Sequence, residues 1–387
     1  MNIAFLMRLW PIYGGGETVT RILANEFTKR GHNVHVIYFK STNIKYQIDI
    51  SSNIQNHIIS EIECDEWHYN PTDSSKVKES LNKIINKHSI NILINQWWPY
   101  EYIKDIKNMN PVKLISVHHM NVFQKPQLDK HKIKDLIKIS LGNIYNNYWM
   151  KKRALSFIPI INESDKFVFL CNKFIEEYTQ WIPNKKIVQK LVAIPNPQTY
   201  CQTTNNDILS KKEKCILFVG RIHDDHKRIS LILKSWKQIQ DQNKDWRLEI
   251  VGTGPDIEKL NNMAQKLNLE RVSFEGEQNP LPYYQKASIF VMTSQREGWG
   301  MTLVESQQNG VVCVVMDAFS ALHEIIDNNI NGIIVPNNDL QAFSNAVLNL
   351  INRPDKRLNL AKNALKSCQR FSIQNIGDQW EQLFKSL

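Results

Sequence analysis

Twice along this chain a short apolar run breaks into a glycine turn that opens a helical pattern, and this arrangement restricts the fold more than any other part of the sequence. Residues 3–7 lead to Gly14-Gly15-Gly16-Glu17, after which Val19, Ile22, Leu23 and Phe27 recur at helical spacing. Residues 289–293 lead to REGWGMTLVE, Arg296 to Glu305, in which Glu297 and Glu305 are separated by seven residues around a glycine turn. Strand, glycine loop and helix in that order gather backbone N–H groups and the positive end of a helix dipole at one point, where an anion such as phosphate is favoured.

The same rhythm extends along the chain. Strand signals at residues 3–7, 33–39, 92–95, 114–117 and 167–170 alternate with helical patterns, and a second series follows at 215–219, 247–251, 272–274, 289–292, 311–315 and 333–335. Alternation of this kind predicts α/β structure with parallel sheets. Between the series, Ile194-Pro195-Asn196-Pro197 and the polar residues 198–213 form the best linker. The expected domains are therefore 1–195 and 196–370, followed by a C-terminal helix over 371–387 carrying Phe371, Trp380, Leu383 and Phe384. A chain of 387 residues suits two domains, each with its own core.

No apolar stretch approaches the roughly 20 residues that span a bilayer. Arg8 interrupts the first apolar run too early for a signal peptide, so a cytoplasmic protein is expected. The six cysteines, Cys64, Cys171, Cys201, Cys215, Cys313 and Cys368, form no CxxC pair, which argues against a zinc site or a disulfide framework and for small buried hydrophobes.

Charge is unevenly spread. Residues 1–195 hold 26 Lys and Arg against 17 Asp and Glu, which is nearly all of the net +10. Part of the excess lies in 123–157, where Lys125, Lys130, Lys132, Lys134, Lys138, Lys151, Lys152 and Arg153 accompany an apolar face of Ile133, Leu136, Ile137, Leu141, Ile144, Tyr145 and Tyr148. Such a segment, 133–153, reads either as a basic amphipathic helix on an anionic membrane surface or as a core helix with a charged edge. No recognition motif accompanies the charge, so nucleic acid is not an expected partner.

In their order and spacing, the stretch from Tyr13 (YGGGETVTRILANEFTKRGHNVHVI), SVHH from Ser116, IPNP from Ile194, FVGRIHDDHKR from Phe218, VGTGP from Val251 and NGIIVP from Asn331 resemble the retaining glycosyltransferases of family 4. The resemblance covers most of the chain. It implies the GT-B architecture, two Rossmann-like parallel-sheet domains facing an interdomain cleft, with the acceptor on the first and the nucleotide-sugar donor on the second. It also implies transfer of a hexosyl group from a nucleotide sugar, UDP-hexose or UDP-HexNAc, to a glycan or lipid-linked acceptor in cell-surface polysaccharide synthesis. No cofactor is implied, and on the membrane-surface reading of 133–153 the cytoplasmic enzyme would sit at the inner face of the membrane.

A nucleotide diphosphate gains negative charge as it leaves, so its site needs fixed cations or a metal. Arg221 and Lys227 follow a strand, with Gly220 permitting the bend, and no Asp-x-Asp metal motif stands at a strand end. By the resemblance, Arg221 and Lys227 clamp the diphosphate in place of a metal, assisted by Gly14, Gly15 and Gly16. Glu297 lies by the donor sugar and its anomeric carbon, and Glu305 holds the ribose. Gly298, Trp299, Gly300, Met301, Thr302 and Leu303 offer backbone N–H groups, and His118 contacts the donor sugar. Two departures from the family pattern are His119, where aspartate is usual, and Arg228, where glycine is common.

Paired carboxylates also suit a glycosidase, although their place at a glycine turn beside cations favours transfer. A dinucleotide-dependent oxidoreductase fits less well, because Val19 replaces the third fingerprint glycine and the second strand ends in Tyr38-Phe39-Lys40 without an acid. A catalytically silent nucleotide-sugar-binding scaffold is the remaining alternative. The aromatic residues Trp67, His68 and Tyr69, and the cluster Gln96-Trp97-Trp98-Pro99-Tyr100, read as acceptor walls or as core.

Overall fold

The computed structural model describes residues 1–11, 14–41, 49–59, 73–96, 98–123, 138, 140–200 and 208–387. Trp67, His68, Tyr69, Trp97, Cys64, Cys201, Lys125, Lys130, Lys132 and Lys134 lie outside them, as do Ile133, Leu136 and Ile137. Contacts divide the chain into two units, Met1–Pro197 with Ile373–Leu387, and Gln198–Ser372.

The first unit is built on seven strands: β1 Asn2–Leu9, β2 Asn33–Lys40, β3 Gln55–Ile58, β4 Ile92–Asn95, β5 Lys113–His118, β6 Lys166–Phe169 and β7 Leu191–Ala193. They lie in the order β3-β2-β1-β4-β5-β6-β7, and every pairing is parallel. Strands covered on both faces read as continuous apolar runs, because neither face needs polarity. Ile3, Ala4, Phe5, Leu6 and Met7 are accordingly all sealed from solvent. The edge strands β3 and β7 do not follow that rule. QNHI and LVA are short, with no fully buried residue, and no strand was expected at either place.

The second unit repeats the plan with β8 Cys215–Val219, β9 Arg247–Val251, β10 Val272–Gly276, β11 Ile289–Met292, β12 Val312–Met316 and β13 Gly332–Val335. Their order is β10-β9-β8-β11-β12-β13, again all parallel. Helix Ile229–Ile239 buries Ile232, Leu233, Trp236 and Ile239 against this sheet and against Phe343 and Val347 of helix Leu340–Asn352. Each such fully buried side chain contributes roughly 1.5–3 kcal/mol. In both sheets the chain order reverses beside the first strand, between β1 and β4 and between β8 and β11. Open α/β sheets bind ligands outside the carboxyl ends of the strands at that reversal.

Helix Ile373–Lys385 packs on helix Gly15–Lys29 of the first unit. Phe384 and Trp380 meet Phe27 with ring centroids 5.3 and 6.4 Å away. Arg30 bonds Glu26 at 2.8 Å and Asp378 at 2.7 Å, and His32 meets Glu381 at 3.0 Å. Helix Gly142–Leu155 is not the core helix that one sequence reading allowed, since Ala154 is the residue it buries, while Ile144 and Tyr148 are 74% and 63% exposed. No helix among the described residues is long and apolar enough to cross a membrane. The described cysteines Cys171, Cys215, Cys313 and Cys368 are buried and in no disulfide.

Candidate functional site

In the second unit the site residues stand at the reversal point. The turn Gly220-Arg221-Ile222 leaves β8, and its shape is set by the neighbouring VGTGP loop after β9. Gly220 N donates to Val251 O at 3.0 Å and Ile222 N to Thr253 O at 2.8 Å. A Cβ on Gly252 would lie 1.9 Å from Gly220 O, and one on Gly254 would lie 2.2 Å from Ile222 O. Only glycine at these two positions lets the loops close on one another. The loop so held presents Arg221 exposed at the carboxyl edge of the sheet.

Lys227 ends the short helix Asp224–Lys227, and its Nζ donates to Glu297 Oε1 at 2.5 Å. Both side chains are largely shielded, with 21% and 13% exposure. The segment after β11 that carries Glu297 is fastened to that helix. Thr293 Oγ1 donates to the carbonyls of Lys227 and Arg228, 2.9 Å each, and Gln295 N donates to His226 O at 2.8 Å. Arg228 takes the left-handed conformation, φ 50° and ψ 44°, which explains why glycine suits this position. Its guanidinium donates to Thr293 O, Ser294 O, Asn337 Oδ1 and Asn338 Oδ1. The turn is kept, and the arginine adds bonds that a glycine lacks.

Gly300 caps helix Met301–Gln308 at φ 96°, and Leu303 N donates back to Gly300 O at 2.9 Å. Trp299 turns inward, its ring edge-on to Phe371 at 5.3 Å, while Gly298 stays half-buried. Thr302 accepts a bond from Ser306 at its carbonyl. Glu305, one helical turn further on, is buried and accepts from Thr199 at 2.7 Å and from Tyr284 at 2.9 Å. Desolvation raises its pKa, and the two bonds oppose the rise. A carboxylate has about four lone-pair positions, so each oxygen keeps capacity for a ligand hydroxyl.

In the first unit Gly14 caps helix Gly15–Lys29 with no side-chain cap, and Thr18 N donates to its carbonyl at 2.8 Å. The Glu17 carboxylate folds back over Gly14, with Oε2 2.2 Å from where a Cβ would stand. His118 closes β5. Its ring lies among Phe157, Phe167 and Phe169, and its Nε2 is buried without a hydrogen-bond partner among the described residues. Burial, then Arg153 and His119, push its pKa down to about 3, so the ring is neutral near pH 7. His119 points elsewhere, its Nε2 meeting Gln96 Oε1, and burial lowers its pKa to about 4.

The structure thus brings Gly220, Arg221, Lys227 and Glu297 to one reversal point, and in the first unit sets Gly14, Gly15 and Gly16 at the start of helix Gly15–Lys29 and His118 at the end of β5. Thr199, Tyr284 and Thr293 escaped the sequence reading because their contacts are made across the fold. Gly252 and Gly254 carried a signal in the VGTGP stretch, where their buttressing role is legible only from the paired loops.

Residues 203–367 match the family model described as glycosyl transferases group 1. An uncharacterised glycosyltransferase of Haemophilus influenzae is 27% identical over 231 residues, which are 59% of this chain and 64% of that protein. A Campylobacter jejuni alpha-1,4-N-acetyl-D-galactosaminyltransferase, whose name specifies a PP-undecaprenol-linked GalNAc acceptor, is 21% identical over 99% of this chain and 98% of its own. Among solved structures, an S. aureus TarM mutant in complex with fondaparinux, alpha-GlcNAc-glycerol and UDP superposes with a TM-score of 0.74 over 99% of both chains at 13% identity. That likeness is one of fold.

Proposed function

We propose, from the match of residues 203–367 to the group 1 glycosyl transferases and from the two parallel Rossmann-like sheets of this chain, that it is a retaining, metal-independent glycosyltransferase. The observation that carries the reading is the Lys227–Glu297 contact at the reversal point of the second sheet, with Arg221 exposed on the adjoining turn. One ammonium has three donors, so Lys227 can hold Glu297 and a phosphate oxygen together.

In the reaction we infer, the bond from the sugar's anomeric carbon to the diphosphate oxygen breaks while the acceptor oxygen attacks from the same face. The acceptor's proton passes to the departing diphosphate oxygen, whose charge Arg221 and Lys227 stabilise. Glu297 holds the sugar as it gains positive character, and Glu305 accepts from the ribose. Gly298 to Thr302 offer N–H groups at the start of a helix, whereas the Leu303 N–H is already bonded to Gly300 O. Neutral His118 contacts the donor sugar, and Gly14 to Gly16 favour the diphosphate.

A UDP-hexose or UDP-HexNAc donor is supported by the UDP in the TarM complex, and a lipid-linked or glycan acceptor by the name of the Campylobacter relative. Work at the inner face of an anionic membrane is supported by exposed Leu141, Ile144, Tyr148 and Leu155 beside Lys151 and Lys152.

The test is a pair of isosteric changes. Glu297→Gln should abolish transfer while leaving affinity for the nucleoside diphosphate nearly intact, and Glu305→Gln should weaken binding of the nucleotide itself. Full turnover by Glu297→Gln would remove that residue from the chemistry.

A further inference from the structure

Away from the carboxyl ends of the strands, the first unit gathers three histidines that the proposed chemistry does not use. His35 is the third residue of β2 and is 2% exposed. His57 lies in β3, and His88 ends the helix Ser74–His88. The β2–β3 register sets His35 opposite Gln55, so His57, two residues on, projects from the same face as a diagonal neighbour of His35. The helix brings His88 over both. Ring centroids lie 5.2 Å apart for His35 and His57, 5.0 Å for His35 and His88, and 4.6 Å for His57 and His88.

His35 Nδ1 and His57 Nε2 are 3.0 Å apart, and one ring nitrogen from each of the three histidines lies within 4.8 Å of the other two. A tetrahedral zinc ion, with Zn–N near 2.0–2.1 Å, places its nitrogens about 3.4 Å apart, so ring rotations of roughly an ångström would bring all three into range. Three imidazoles packed together also repel protonation. Burial, then the neighbouring His57 and His88, lower the pKa of His35 to about 4, and burial with His88 and Lys87 lowers that of His57. The unprotonated ring is the form that ligates a metal.

We propose that His35, His57 and His88 form a tri-histidine site for a divalent transition metal, with zinc as its probe and solvent at the fourth position. His57 and His88 are half-buried, so an ion can reach them. The site is structural. Among the described strands β3 lies at the edge and pairs only with β2, and the ion would tie it and the helix Ser74–His88 to β2. Stability gained in this way grows with free metal concentration, because the ion binds the assembled rings.

The experiment uses the full chain, free of any histidine tag and stripped with chelator, titrated with zinc chloride by calorimetry and then melted with and without the metal. One equivalent should bind saturably and raise the melting temperature, and His57→Gln and His88→Gln should each weaken binding at least tenfold. Both replacements sit at half-buried positions. A native circular-dichroism spectrum for either one in the absence of zinc separates lost ligation from lost folding. Absence of saturable binding by the native chain, or undiminished binding in both folded variants, overturns the site. Neither readout depends on glycosyl transfer.

Discussion

Replacing Arg228 separates two effects that act at one residue. A non-glycine residue in the left-handed region carries about 1–2 kcal/mol of strain, and Arg228 bears it at φ 50°. Against this stand four guanidinium bonds, of which those to Asn337 and Asn338 are exposed and count for little. The bonds to Thr293 O at 2.5 Å and Ser294 O at 3.3 Å are half-buried. A charged donor gives about 1.5 kcal/mol for the shorter and less for the longer. Arg228→Ala loses the bonds and keeps the strain, a loss of about 2 kcal/mol. Arg228→Gly loses the same bonds and releases the strain, so its loss should be about 1 kcal/mol smaller. Urea unfolding should rank arginine above glycine above alanine, and hydrogen exchange in residues 293–300 should quicken most in the alanine variant. If glycine proves no more stable than alanine, the backbone argument fails. If alanine costs nothing, the tether to Thr293 and Ser294 is without weight.

Arg221→Ala should lower turnover by about 10²–10³, the range for one preorganised electrostatic donor, and transfer should survive EDTA; strict dependence on Mg²⁺ or Mn²⁺ would refute the diphosphate clamp. Unfolded histidine takes up its proton near pH 6.5, whereas His118 and His119 hold out to about 3 and about 4. Below pH ~6.5 the unfolded chain therefore binds protons that the folded one refuses, and stability should fall by up to about 1.4 kcal/mol per pH unit for each histidine. Denaturation at about pH 7.5 and about pH 5 checks this, and a flat profile that His119→Gln does not change would count against it. Replacing Lys151 and Lys152 with glutamine should loosen the protein from anionic vesicles by about 1 kcal/mol per lysine, and Ile144→Ser should add to the loss; native protein that ignores such vesicles at low salt would end the membrane reading.

Where a strand is buried on both faces the sequence announces it, which is why β1, β2, β4, β5, β6, β8, β11 and β12 were legible from apolar runs, while β9, β10 and β13, less completely buried, were read from shorter apolar signals between turns. β3 and β7 were not, because an edge strand of three or four residues leaves no such run. The tri-histidine cluster was hidden by the same blind spot. With its members 22 and 31 positions apart in the chain, no ligand spacing was visible until β3 took its place beside β2. Arg221, Lys227 and Glu297 could be picked out by motif, but their joining could not. It depends on Thr293, Arg228 and the two glycines after β9, whose contacts run between strands far apart in sequence. The exposed face of helix Gly142–Leu155 was ambiguous for a related reason, since periodicity locates an apolar stripe without saying what covers it.

The first unit is completed by residues from the far end of the chain, and this sets an order on its biosynthesis. The ribosome delivers helix Gly15–Lys29 early, but the helix Ile373–Lys385 that covers Phe27 and binds Arg30 emerges only after the whole of the second unit. A nascent chain must therefore hold an apolar patch around Phe27 open while another unit folds, which is the kind of exposed surface chaperones hold and aggregation exploits. Helix Gly15–Lys29, made well before its cover, would thus be among the last elements to settle, and termination within helix Ile373–Lys385 would strike the unit that both helices share.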